Sequence, residues 1–362
     1  MEPWFGEEEA EAVGVYMRSG GWLTEFKITQ KFEKNIADFT GARHCIVTNN
    51  GTISLTLAAV ACGIKSGDEV IVPCYSQIAS PNSVKMIGAV PVFCDVERDT
   101  LCLDIEQVEK RIGPKTRAVM LVAANGRYPK VGIAAFETLA RDRGLVLIED
   151  SAQALGSYFP DGRHMGTAAA VGSFSFSVPK IISTGQGGCL ITNDDDLAER
   201  LRRLKDFGRR SGGIDVHDDI GWNFKFTDIQ AAIGIEQMKK LNWRLARKKE
   251  IYQRYRHRLS GNSRVQFFNQ DIDFCPPWFV DVLVDEREGL ATYLMDKGIG
   301  TRVMYPPIHR QKAYGLAESH PVSEKIGIEG LWLPSASQLQ DEQIDRICSA
   351  INAYYSQRAP SH

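Results

Sequence analysis

No apolar run in this sequence approaches the roughly 18 consecutive residues that a membrane-spanning helix requires. A helical membrane protein is therefore not expected. Charge of one sign is also missing. Lys and Arg number 43 against 45 Asp and Glu, a formal net charge of −2, so no nucleic acid and no membrane surface are expected as partners. The eight cysteines contain no C-x-x-C pair and the seven histidines no H-E-x-x-H. A disulfide framework or a zinc motif is thus not expected, and the thiols, mostly set in apolar runs, read as small hydrophobes. Gly185-Gln-Gly-Gly188 is not G-x-G-x-x-G, and Gly63-Ile-Lys-Ser66 lacks P-loop spacing. With G-x-S-x-G absent as well, three common catalytic scaffolds fall away. Residues 1–10 are acidic and carry no signal-peptide pattern, so a cytoplasmic location is the expectation. There is no internal repeat and no low-complexity tract.

What the chain does have is strand–helix alternation. Its 362 residues exceed the usual single domain, so one large and one small domain are expected. From residue 26 to about 240, short β-branched runs alternate with helical spacing. The runs at 44–48, 69–73, 90–95, 118–122 and 145–148 read as buried strands, and residues 26–40, 52–62, 132–143, 194–207 and 227–241 as helices. This order predicts an α/β fold with a mainly parallel sheet covered on both faces. Residues 208–219 are polar and glycine-rich and read as a mobile loop. A basic helix over 245–259 then opens a smaller α+β unit, with strands near 265 and 278–284 and helices near 288–297 and 341–355. The expected division is 1–244 and 245–362.

Two strand ends carry chemistry. Val146-Leu-Ile-Glu-Asp150 finishes an apolar strand in a carboxylate. Gly172-Ser-Phe-Ser-Phe-Ser-Val-Pro-Lys180 is a β-like run ending in a lysine, followed by a loop with three glycines. A lysine for an imine and a carboxylate for a ring nitrogen are the two protein groups that pyridoxal 5′-phosphate (PLP) demands. The apolar neighbours Phe174, Phe176, Val178 and Ile181 would lower the amine pKa and favour imine formation. Asp150 would keep the pyridine nitrogen protonated, because opposite charges at close range favour the charged forms. Gln153, three residues on, is within reach of the ring 3-oxygen. Asn49-Asn50-Gly51-Thr52-Ile53 is the candidate phosphate cradle: glycine admits close approach, the following helix presents free N–H groups, and Thr52 adds a hydroxyl. Ser175 offers a second hydroxyl. Taken alone, each of these also fits a plain turn, cap or solvated lysine.

Their order in the chain is more specific. The sequence resembles the DegT/DnrJ/EryC1/StrS family of PLP-dependent sugar aminotransferases, through Asn50-Gly-Thr52, Gly67-Asp-Glu-Val-Ile-Val-Pro73, Ile148-Glu-Asp-Ser-Ala-Gln153, Thr184-Gly-Gln-Gly-Gly188, Gly221-Trp-Asn-Phe-Lys-Phe-Thr-Asp228 and Tyr305-Pro-Pro-Ile-His309. The resemblance implies fold type I, the aspartate aminotransferase-like architecture, with L-glutamate as amino donor and a keto-sugar as acceptor. It implies Lys180 as the imine lysine, Asp150 at the pyridine nitrogen and Gln153 near the 3-oxygen. Gly51, Thr52, Ile53 and Ser175 would surround the phosphate. Asn223 would reach the phosphate of a neighbouring subunit, which implies a homodimer with shared active sites. Tyr305 and His309 fall in a segment that helps bind substrate, and Arg127 suggests an anionic group on that substrate. Residues 219–234 are most similar to the GDP-perosamine synthase branch, which aminates the 4-keto group of a GDP-linked 6-deoxy sugar.

Three departures bear on the substrate. Gln77 stands where relatives carry an aromatic that stacks on PLP, so either its amide lies over the ring or Tyr75 supplies the stacking. Asn125-Gly-Arg-Tyr-Pro129 replaces a common His-x-Tyr-Gly segment, and Lys225 replaces an arginine, removing a bidentate fork. Alternative readings are a PLP- or pyridoxamine-dependent sugar dehydratase, whose relatives carry histidine at the lysine position, an aminotransferase for a keto-sugar acid, and a non-catalytic ligand sensor.

Overall fold

The computed structural model describes residues 4–358 apart from 211 and 213. Seven strands form the large sheet: β1 His44–Thr48, β2 Glu69–Pro73, β3 Val90–Cys94, β4 Thr116–Val122, β5 Val146–Asp150, β6 Val171–Ser175 and β7 Gly188–Thr192. Their spatial order is β1-β7-β6-β5-β4-β2-β3. Only β7 runs against the rest, pairing antiparallel with both β1 and β6. The pleat sends alternate residues to opposite faces. Thus Val70 and Val72 join the core under the helices Gly51–Ala61 and Asp195–Lys205, while Ile71 joins the one under Ile133–Arg143. Helix Gly51–Ala61 is buried nearly all round, which explains why its sequence shows little amphipathic contrast.

The smaller unit is an antiparallel sheet of β8 Val265–Phe267, β9 Val280–Val284, β10 Arg302–Val303 and β11 Gly330–Leu333, in the order β10-β11-β9-β8. Ile251, Tyr255, Leu290, Ile344 and Tyr354 from helices Leu241–Arg258, Arg287–Asp296 and Asp341–Ser356 cover one face. Leu283 and Trp332 point the other way and meet Tyr75 of the large unit. Helix Leu241–Arg258 crosses the expected boundary at 244/245. Leu241 packs in the large unit with Phe32 and Ile235, and Ile251 in the small one.

Some elements differ from the sequence reading. Helices Glu7–Arg18, Ala79–Lys85, Ile105–Arg111 and Pro321–Glu329 were not expected, nor were β10 and β11. Ala-Ser-Pro-Asn-Ser-Val-Lys has no apolar period to reveal it, and two- to four-residue strands give no alternation to read. The expected loop 208–219 is tied down at its base: Arg209 pairs with Asp206 at 2.7 Å and with Asp215 at 3.1 Å. Ser211 and Gly213 of that loop lie outside the described residues.

Arg127 is corrected here. It does not face a substrate: its side chain is 2% exposed and forks onto Asp281 of β9 at 2.6 and 2.8 Å. Burial disfavours the charge, and the adjacent carboxylate more than compensates, raising the guanidinium pKa. Asn125 joins the same link, donating from Nδ2 to Phe279 O and Asp281 Oδ1. Arg127→Met would leave Asp281 as an uncompensated buried charge. We expect a loss of about 3–5 kcal/mol of stability, read by urea unfolding, with partial recovery in the Arg127→Met/Asp281→Asn double variant. Unchanged stability of the single variant would refute the role.

Candidate active site

The chemistry-bearing residues gather at the carboxyl edge of the large sheet, where α/β folds place their ligand sites. Asp150 is the last residue of β5 and Ser175 the last of β6. After β1 the chain turns through Asn49 and Asn50 into helix Gly51–Ala61, where Asn50 is the N-cap and its Oδ1 accepts from Ile53 N at 3.0 Å. The first N–H groups of a helix have no partner within it, so Gly51 and Thr52 present theirs outward. A Cβ on Gly51 would lie 2.8 Å from Ser175 Cβ. Only glycine lets the cradle and the β6 hydroxyl close on one another. Ile53 is corrected: its N–H is engaged by the cap and its side chain is in the core.

Asp150 is buried. Ser80 Oγ donates to its Oδ2 at 2.7 Å and Ala152 N to its Oδ1 at 3.2 Å. Burial raises its pKa, opposed by the Ser80 bond and by the charge of Lys180. Lys180 is not at the strand end. β6 stops at Ser175, and Lys180 sits five residues on, in a turn where its N–H donates to Ser177 O. Its apolar setting also differs from expectation: Phe174 and Phe176 point into another core, and Val178 is exposed. The surface beneath the amine is Trp278, with Nζ 4.2 Å from the ring centroid, and Trp278 Nε1 in turn donates to Pro179 O at 2.7 Å. Burial lowers the Lys180 pKa to about 8, against the opposing pull of Asp150.

Gln153 Oε1 accepts from Asn125 N at 2.6 Å, holding a residue whose backbone is left-handed at φ 55°. Its amide nitrogen makes no hydrogen bond among the described residues and remains available to a ligand. Tyr305 is half-buried against Trp332, and Asp150 lies close enough to help raise its phenol pKa to about 12, after burial. Gln77 is exposed at the start of helix Ala79–Lys85, with its Oε1 accepting from Ala79 N. Tyr75 is buried in the seam between the two units. Asn223 is exposed beside the cradle: the next residue, Phe224, accepts from Asn49 N at 3.2 Å. The Asn223 side chain has no hydrogen bond among the described residues. Lys225 is bonded to Asp206 at 2.7 Å, the residue that bridges to Asn223 through the backbone.

His309 is corrected. It is 0% exposed and bonded to Cys74 and Glu324, so it does not face the cleft. Ser80 and Trp278 were missed by sequence reasoning, because neither stands in a motif; their contacts with Asp150 and Pro179 span 70 and 99 residues.

A mainly parallel seven-stranded sheet with a lysine, an aspartate and a glycine cradle at its carboxyl edge defines an aminotransferase of fold type I. The chain belongs to the DegT/DnrJ/EryC1/StrS aminotransferase family, whose profile matches residues 3–352. It is 36% identical over 361 residues to GDP-perosamine synthase of Escherichia coli O157:H7, covering 99% of this chain and 98% of that protein. To GDP-perosamine synthase of Vibrio cholerae it is 33% identical, covering 98% of each. Among solved structures, the aminotransferase TlmJ from Streptoalloteichus hindustanus superposes with a TM-score of 0.92 at 33% identity, covering 98% of both chains. S. venezuelae DesV in complex with a ketimine intermediate gives 0.91 at 32% identity, covering 98% of this chain and 95% of that one.

Proposed function

We propose that this enzyme uses PLP to move the amino group of L-glutamate onto the keto group of a nucleotide-linked 4-keto-6-deoxy sugar, the GDP-linked sugar first among these. The observation that carries the reading is the convergence of Lys180, Asp150 and the Gly51–Ser175 cradle on one sheet edge, in a chain similar to GDP-perosamine synthases over almost its full length. When bound, PLP supplies an aldehyde to carry the amine and a protonated ring to accept electrons from the substrate carbon. The cradle N–H groups and the Ser175 hydroxyl suit its phosphate, Asp150 its ring nitrogen, and Gln153 its 3-oxygen. Lys180 Nζ is the attachment point and, once released, the base that moves the proton. Among the described residues no carboxylate bonds this amine, so it is free to do both. Lysine rather than histidine at position 180 favours amino transfer over sugar dehydration.

The test uses the two half-reactions separately. Glutamate should convert the PLP absorbance to that of the amino form, and GDP-4-keto-6-deoxymannose should restore it. Restoration by a keto-sugar acid alone, or by dTDP- or UDP-linked ketones only, would overturn the substrate assignment.

The same reading assigns Asn223 to the phosphate of a second subunit. Exposed Trp22, Leu23, Ile220 and Trp222, the last next to Asn223 in the chain, support this as large apolar side chains open to a partner. Mixing inactive Lys180→Ala and Asn223→Asp chains should restore activity; a fully active monomer in sedimentation would rule it out.

Gln77 is assigned to the sugar rather than the cofactor. Gln77→Phe adds a ring contact of about 0.5–1.5 kcal/mol, so PLP should be held more tightly. The glutamate half-reaction should survive and the sugar half-reaction should slow. Two unchanged half-reactions would end the assignment.

A further inference from the structure

Three buried side chains outside the catalytic cleft meet at one point: Cys74, just after β2, His309 in the turn Ile308–Arg310, and His320, the N-cap of helix Pro321–Glu329. The thiol sulfur and one ring nitrogen from each histidine all lie within 4.8 Å of one another. Cys74 Sγ is 2.7 Å from His309 Nδ1, and the two imidazole centroids are 4.7 Å apart. The histidines are 0% and 1% exposed and Cys74 is fully buried.

Each imidazole is oriented by a carboxylate on its far side. Glu324 Oε1 lies 3.0 Å from His309 Nε2, and Glu318 Oε2 lies 3.1 Å from His320 Nε2. That leaves Nδ1 of each ring as the nitrogen on offer to the cluster. A carboxylate on the outer ring nitrogen is the arrangement that fixes the tautomer of metal-binding histidines and raises their basicity. The third ligand is supported independently. Ile308 N donates to Cys74 O at 2.9 Å, and Asp95 accepts from Val322 N, Ser323 N and Ser323 Oγ. The backbones bearing all three groups are thus held before any ion arrives.

We propose that Cys74, His309 and His320 form a binding site for a zinc-class divalent ion, with water as the fourth ligand. One sulfur and two imidazoles select a borderline or soft ion and disfavour Mg2+ and Ca2+, which require oxygen ligands. Binding forms a sulfur–metal bond and releases the thiol proton to solvent. The ligands come from the end of β2 and from a segment more than 230 residues later, so the ion acts as a clip between the large unit and the strand-to-helix connection of the small one. No motif spacing announces such a site, so reading the sequence alone does not lead to zinc. None of the three side chains is assigned to the cofactor, and the proposal does not depend on the substrate assignment.

Because the cluster is buried, the metal must be offered both to folded protein and during refolding. PLP-loaded protein, stripped with a chelator, is titrated with Co2+ in both ways. The expected result is one Co2+ per chain, with thiolate charge-transfer and tetrahedral d–d absorption, displaced by one equivalent of Zn2+. Cys74→Ser should abolish the charge-transfer band. Glu318→Gln, which leaves all three ligands intact, should weaken Co2+ binding about 10–100-fold. Zn2+ should raise the melting temperature of the wild type and not of Cys74→Ser. Absence of stoichiometric Co2+ in both protocols, a spectrum without thiolate charge transfer, or uptake unchanged by Cys74→Ser would each overturn the site.

Discussion

Lys180→Ala should retain PLP through the phosphate cradle and lose turnover almost completely. The general-base contribution alone is roughly 10²–10⁴-fold, and the attachment point disappears with it. A second lysine sharpens the test. Lys248 is also buried, and burial with the neighbouring Arg244 lowers its pKa to about 7. By pKa alone it would be the better nucleophile. Geometry decides otherwise: Lys248 Nζ donates to Trp278 O at 2.7 Å and to Ser335 O at 2.5 Å. Two carbonyl acceptors fix it in place as a donor and favour its ammonium form, which has no lone pair to react. Lys180 has no such acceptors among the described residues and rests on the face of Trp278. Borohydride reduction and peptide mapping should therefore label Lys180; a label on Lys248 would overturn both the assignment and this argument.

The same amine sets a pH dependence. Burial depresses its pKa from 10.5 to about 8, so the neutral form is present at neutral pH as roughly one molecule in ten, instead of about one in three thousand. PLP capture by the apo-protein should rise with pH and level off above about 8. Asp150 opposes the depression, so removing its charge should shift this midpoint downward. A midpoint near 10 would mean that Trp278 does not desolvate the amine.

The positions of Asp150 at the end of β5 and of Gly51 at a helix start were legible because strand ends and helix starts are local events, fixed by the pleat and by orphaned helix N–H groups. Arg127 and His309 were misread for one common reason. Local sequence does not say whether a polar side chain will find a distant partner, and theirs are decisive: Asp281 lies 154 residues from Arg127, and Cys74 lies 235 from His309. Lys180 shows the same limit in milder form. Its apolar setting was expected from Phe174 and Phe176, yet the contact comes from Trp278 of the small unit. Sequence neighbours of a loop residue do not define its environment when β6 has already ended at Ser175. The short helix Ala79–Lys85 escaped notice for want of apolar periodicity, and with it Ser80, whose hydroxyl bonds Asp150.

That hydroxyl matters to the second large effect. Asp150→Asn preserves shape and removes the charge that, in the proposed role, would keep the ring nitrogen of PLP protonated. Loss of one preorganised electrostatic group costs on the order of 10²–10³ in rate, and we expect a fall of that size in the glutamate half-reaction with modest loss of PLP. The acid limb of the wild-type rate gives an independent handle. Burial raises the Asp150 pKa, while Ser80 and Lys180 lower it again. A carboxylate with a raised pKa is protonated, and disabled, at a higher pH than an exposed aspartate. Ser80→Ala removes the first of the three lowering influences, the others being Lys180 and the Ala152 N–H, so its acid limb should move to higher pH while the alkaline side stays in place. Asp150→Asn has no carboxylate to titrate and should lose that limb altogether. Half-reaction rates across pH for the three proteins test the assignment: wild-type rates in Asp150→Asn, or an acid limb unmoved by Ser80→Ala, would remove Asp150 from the ring nitrogen.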